Sequence, residues 1–174
     1  KYGSLLLMRA IQYIPQGVLL AVVDPGVGTE RKAIAITTDW GVMIGPDNGL
    51  LNLACATVGG AQKAYALENE NWIIPHEGNT FHARDIFAPF AAGYASGQLK
   101  LEEFGPELDL EDLKQYLPEI MNTLMFLLRG TNDVKMQEVV VYSIGSAAVA
   151  AGEDFLPFFN VVYSDLLQRS EEHT

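Results

Sequence analysis

Three short segments concentrate side chains able to hold or move a proton. The first is Val22-Val23-Asp24-Pro25-Gly26-Val27-Gly28-Thr29-Glu30-Arg31, where an apolar run gives way to an acid, glycines and an arginine. Glycine lets backbone approach a ligand closely or take positive φ. In open α/β sheets ligands sit beyond the carboxyl ends of strands, the place this loop is expected to occupy. A plain structural turn accounts for the same residues. The second segment, Gly45-Pro46-Asp47-Asn48-Gly49-Leu50-Leu51, reads as a turn in which Asp47 or Asn48 caps the next helix. The third, Asn79-Thr80-Phe81-His82-Ala83-Arg84-Asp85-Ile86-Phe87-Ala88-Pro89, crowds a histidine, an arginine and an aspartate at the start of a helix, with Asp85 the candidate N-cap. A lone histidine is more often structural, yet its ordinary pKa suits proton transfer near neutral pH. His76 and His82 are spaced wrongly for one helix face and have no cysteine or carboxylate cluster beside them. No metal site is expected.

These segments need elements to position them. Ser4 to Ile14 carries Leu5, Leu6, Met8, Ile11 and Ile14 at helical spacing, and Pro15-Gln16-Gly17 ends the run. Val18 to Val23 predicts a strand buried on both faces. Ala33–Thr38 and Gly41–Ile44 predict two strands joined at Asp39-Trp40. A helix follows from Leu50 to about Val58, then a strand at Lys63–Leu67, then a helix from Asp85 to about Ser96. The segment between them, Glu68 to Asn79, reads as polar and irregular. Helices alternating with buried strands imply an α/β layered domain with a central, mostly parallel sheet flanked by helices. Beyond about Tyr116 the period is ambiguous: Val139–Tyr142 reads as a strand, and Phe155–Tyr163 is apolar without a clean repeat. The expected division is therefore 1–116 and 117–174. The tail Arg169–Thr174 resembles a translated sequencing adapter and is set aside from fold reasoning.

Composition narrows the class. Of 174 residues, 49% are hydrophobic and 19% charged, which is the balance of a folded domain. A formal net charge of -11 disfavours a nucleic-acid surface. Cys55 is the sole cysteine, so neither an internal disulfide nor a thiolate zinc site can form. That fits a reducing, cytoplasmic setting. No apolar run is long enough to span a bilayer, and no leader peptide is recognised.

Taken together, the strand-loop V-V-D-P-G-V-G-T-x-R, the turn G-P-D-N-G-L-L and the helix start N-T-F-H-x-R-D-I-F-A-P resemble the S-adenosylmethionine hydroxide adenosyltransferases. These are relatives of the enzymes that fluorinate or chlorinate the same substrate. The motifs occur in the family's order, and the resemblance covers roughly Gly3 to Tyr116. It implies hydrolysis of S-adenosylmethionine to adenosine and methionine by water attacking the 5′ carbon. It implies a catalytic set of Asp24, Arg31 and His82, substrate contacts from Pro25, Val27, Thr80 and Phe81, and no cofactor beyond the substrate itself. The aspartate and histidine point to water, where halogenating relatives carry tyrosine and lack the histidine. The resemblance further implies a homotrimer whose C-terminal β-rich domain closes the neighbouring pocket. On this resemblance the sequence is expected to begin after the family's first strand and to depart from that domain's Asp-x-Phe-Gly-Asn type motif, with Ser143-Ile144-Gly145-Ser146 following the expected strand. Weak or absent turnover is expected of these residues, which leaves a non-catalytic nucleoside binder as the alternative. A SAM-dependent halogenase is the remaining one.

The implied reaction has one difficult side. Methionine leaves as a neutral thioether from a sulfonium, so no acid need protonate it. Making free hydroxide at pH 7 costs about 12 kcal/mol. An ion pair near 4 Å supplies roughly 4 kcal/mol at an effective dielectric of 20. In-line positioning of the water has to contribute much of the rest.

Overall fold

Ala33–Thr38 and Gly41–Pro46 are nearly continuous apolar runs buried on both faces, and successive side chains turn to opposite sides of the sheet, which sets the layers of the fold. The computed structural model of the chain describes residues 2–75, 78, 80–110 and 117–172. Its elements are α1 (Tyr2–Ile11), β1 (Gly17–Leu20), β2 (Ala33–Thr38), β3 (Gly41–Pro46), α2 (Asn52–Thr57), β4 (Lys63–Ala66), α3 (Ala88–Ala95), β5 (Glu107–Leu108), α4 (Leu117–Gly130), α5 (Val134–Ala151) and α6 (Leu156–Glu172). A π-helical turn, Ala83–Phe87, leads into α3.

The α/β class holds: five strands in the order β1-β3-β2-β4-β5 are flanked by helices. The sheet is mixed, however, and not mostly parallel. Among the described residues only β1 with β3 is parallel, while β2–β3, β2–β4 and β4–β5 are antiparallel. The tight Asp39-Trp40 connection leaves β3 no course but back along β2, since a parallel neighbour needs a long crossover. The run Val18–Val23 also departs from expectation. The strand ends at Leu20 and is half-exposed, because β1 lies at the sheet edge and has a neighbour on one side only.

Ala35, Val42, Ile44 and Tyr65 point to one face, where Phe87, Phe90, Leu99 and Phe104 cover them. Ile34, Ile36, Met43 and Ala64 point to the other, under Ile11, Leu51, Ala54 and Cys55 of α1, α2 and the turn before it. Burial of these side chains stabilises the layers by about 1.5–3 kcal/mol for each large residue. A third core joins Met8 of α1 and Leu53 of α2 to Met121, Leu124, Val140, Ile144 and Phe155 of the C-terminal segment. Residues 53–57 of α2 are buried in succession because the helix lies between the sheet and α5.

Val139–Tyr142, expected as a strand, lies inside α5. Met136, Val140, Ile144, Ala147 and Ala151 recur there at helical spacing and face the core, and the β-branched run Val139-Val140-Val141 yields to that packing. Phe155–Tyr163 is likewise mostly helical, within α6. The expected boundary at Tyr116 and His76, Asn79, His173 and Thr174 lie outside the described residues. Among the described residues no helix is long and apolar enough to cross a membrane.

Candidate functional site

Local hydrogen bonds fold the first loop back on itself. Val27 N donates to Asp24 O at 3.3 Å and Thr29 N to Gly26 O at 3.1 Å. The Thr29 hydroxyl donates to the same Gly26 carbonyl at 2.7 Å. Gly28 sits at φ 81, a conformation that a side chain resists. The loop leaves β1 and returns into β2, so Asp24 and Arg31 face each other across it.

The second segment braces this loop at both ends. Asn48 Nδ2 donates to Val23 O at 3.0 Å, and Asp47 N donates to Lys32 O at 2.9 Å. Asn48 Oδ1 accepts from Leu50 N at 3.1 Å, a turn within the segment. The helix α2 has Leu51 at its N-cap and no side-chain cap, so Asn48 ties two loops together instead of capping the helix as expected. Sequence reasoning missed this tie. The only signal for it was an Asn in a turn, which is ordinary there.

Arg31 connects the three candidate catalytic residues. Its Nε donates to Asp24 Oδ2 at 2.8 Å, and its Nη2 donates to the same oxygen. Nη2 also lies 2.9 Å from His82 Nδ1. An arginine can only donate, so Nδ1 accepts and a neutral His82 carries its proton on Nε2. The guanidinium rests over the buried Phe87 ring, 5.2 Å from its centroid, an attractive cation–π geometry. The side chains of Arg31 and Asp24 are only 10% and 5% exposed. Both Arg31 donors meet Oδ2. Asp24 Oδ1 is buried and accepts no hydrogen bond from the described residues. A buried acceptor left in this way costs about 1–3 kcal/mol, so it is an unusual feature in a native fold.

Side-chain contacts thus bring Asp24, Arg31 and His82 together at the carboxyl end of β1. Pro25 and Val27 lie in the loop between Asp24 and Arg31, and Thr80 and Phe81 directly precede His82. Pro25, Thr80 and Phe81 are exposed and Val27 is half-buried. Asp85 does not cap the helix. It is buried inside the π-helical turn and binds Arg84 through both carboxylate oxygens, at 2.6 and 3.0 Å. Hydrogen bonding to Asp85, followed by its charge, raises the Arg84 pKa further above its ordinary value.

The model of the SAM hydroxide adenosyltransferase N-terminal domain matches residues 1–105. The chain belongs to this family. A (R)-S-adenosyl-L-methionine hydrolase of Salinispora tropica is 49% identical over 107 residues, covering 62% of the chain and 41% of that protein. The hydrolase of Thermus thermophilus is 45% identical over 117 residues, covering 62% and 44%. Among solved structures, a conserved protein of Thermotoga maritima aligns with a TM-score of 0.58 at 40% identity, covering 62% of the chain and 42% of the other. The chain spans about two fifths of the length of each of these relatives. A different similarity, 38% over 61 residues, links 35% of the chain to 6% of a probable importin subunit beta-4 of Schizosaccharomyces pombe.

Proposed function

We propose that the chain supplies the reacting half of a site that hydrolyses S-adenosyl-L-methionine to adenosine and L-methionine. Family membership supports the substrate, and the relatives that carry the hydrolase name share the matched region. The observation that carries the reading is Asp24 Oδ1, a buried acceptor beside an arginine-bridged histidine.

In this reading a water donates one hydrogen to Asp24 Oδ1 and turns a lone pair toward the 5′ carbon. The carbon–oxygen bond forms as the carbon–sulfur bond breaks, and methionine departs with the electron pair on its neutral thioether. The water's proton passes to Asp24 or onward to solvent. Arg31 holds Oδ2 and so fixes the direction of Oδ1. His82 receives an Arg31 hydrogen at Nδ1, which leaves Nε2–H to donate and Asp24 to accept. Pro25 and Val27 on one side, and Thr80 and Phe81 on the other, wall the ribose and the reacting carbon. The reaction uses no cofactor. The homotrimer and the cytoplasmic setting belong to the same proposal for the complete enzyme.

Asp24→Asn tests this assignment, because it keeps the shape and removes the charge. Adenosine release from S-adenosylmethionine by the complete enzyme, followed by chromatography, is expected to fall by about 10²–10⁴-fold, the range for a lost general base. Unchanged release from Asp24→Asn and His82→Ala alike would reject the assignment. Adenosine binding without any product would favour the non-catalytic binder, and a halogenated nucleoside formed in chloride or fluoride would favour halide chemistry.

A further inference from the structure

A second cluster flanks His82 in the chain. Phe81 is 60% exposed. The Arg84 guanidinium covers it, 4.8 Å from the ring centroid. Arg84 is in turn gripped through both oxygens by Asp85, whose side chain is 1% exposed. Adjacent residues do not face each other on an ordinary α-helix. The π-helical turn at Ala83–Phe87 brings this pair together, and such turns recur at functional sites. The backbone adds a second restraint: Phe81 O accepts from both Arg84 N and Asp85 N, at 3.0 and 2.9 Å. Asp85 O accepts from Ile74 N at 2.9 Å, which ties the turn to the preceding segment. A solvent-facing ring is therefore held from its backbone and from one face.

We propose that Arg84 and Asp85 are positioning residues that fix the Phe81 ring as an apolar wall of the nucleoside site beside His82. This rests on the function proposed above only for the identity of the ligand. The buried carboxylate orients the guanidinium, the guanidinium stacks on the ring, and the other ring face is left for a sugar or base. Arg84 itself does not touch the reacting atoms.

The test has two readouts on the 174-residue chain. The protein is labelled with para-fluorophenylalanine, and Phe81→Leu identifies the Phe81 fluorine signal. Arg84→Ala is expected to move that signal, with Asp85→Asn moving it in the same direction. A Phe81 signal indifferent to Arg84→Ala would overturn the clamp whether or not the protein binds nucleoside. The second readout is adenosine affinity by calorimetry. Arg84→Ala is expected to weaken it about fivefold, the scale of one lost cation–π contact. The same change in a Phe81→Leu background is expected to do almost nothing. An equal loss in both backgrounds would show that Arg84 acts without Phe81 and would overturn the proposal. Wild-type protein that ignores adenosine would instead overturn the nucleoside assignment, while the fluorine signals still judge the clamp.

Discussion

The central arrangement consists of one arginine with two unlike partners. Arg31 uses Nε and Nη2 on Asp24 and presents Nη2 to His82, so a lysine, with a single point of charge, cannot reproduce the geometry. Arg31→Lys is expected to keep the chain folded and to lose most of the effect of Asp24 on turnover. Arg31→Ala is expected to cost about 3–5 kcal/mol in denaturant unfolding, because a buried carboxylate is left unpaired. If Arg31→Ala unfolds at the wild-type denaturant midpoint, the ion pair is not buried in solution. The three residue types and their two segments were legible in the sequence. The identity of the shared donor was not, because it depends on which side-chain nitrogen reaches which partner across the loop. Asn48 was legible only as a turn residue, since its bond to Val23 O is made between segments.

The elements hold these residues through close backbone approach as much as through apolar burial. A Cβ at Gly45 would lie 2.4 Å from Ala21 O, so β1 and β3 can run side by side at the point where the loop begins. Gly45→Ala is expected to lower the melting temperature by several degrees, consistent with about 1–3 kcal/mol of overpacking. It is also expected to impair the site more than an equally destabilising change in α5, and an equal effect of the two would contradict the link to Asp24. Buried hydroxyls provide a second tie. Thr57 Oγ1 and Ser143 Oγ lie 2.9 Å apart between α2 and α5. Ser143→Ala is expected to cost about 1 kcal/mol in denaturant unfolding. The central strands were readable because β2 and β3 are short, β-branched apolar runs separated by the Asp39-Trp40 turn. The β-branched stretch of α5 was misread because its local preference is for a strand, and only the wider helical repeat and its packing on α2 reveal the helix.

At the scale of the whole molecule, the C-terminal helices are part of one stack with α1 and α2 and so contribute to the cooperative unfolding of the sheet. Cys55 lies between these layers and reports on them. Burial pushes its thiol pKa from 9.0 up to about 12. The folded thiol thus stays protonated where the unfolded one ionises, and stability falls as pH rises between about 9 and about 12. The contribution is on the order of 1 kcal/mol per pH unit. Cys55→Ala is expected to flatten that alkaline limb in denaturant titrations. Native protein is expected to resist a thiol reagent at pH 8 and to react on unfolding. Rapid modification of the native protein would show that the layers separate readily. The layered α/β class was legible from alternating helices and strands. The mixed sheet was not, although the short Asp39-Trp40 connection already contained the reason for it.

The most direct test of water activation at Asp24 is hydrolysis in heavy-oxygen water, followed by mass spectrometry of both products. The expected result is one heavy oxygen in the 5′-hydroxyl of adenosine, none in methionine, and loss of the labelled product in Asp24→Asn. Measured on the complete enzyme, unlabelled adenosine, labelled adenosine formed equally well by Asp24→Asn, or no adenosine above the protein-free rate would contradict the account.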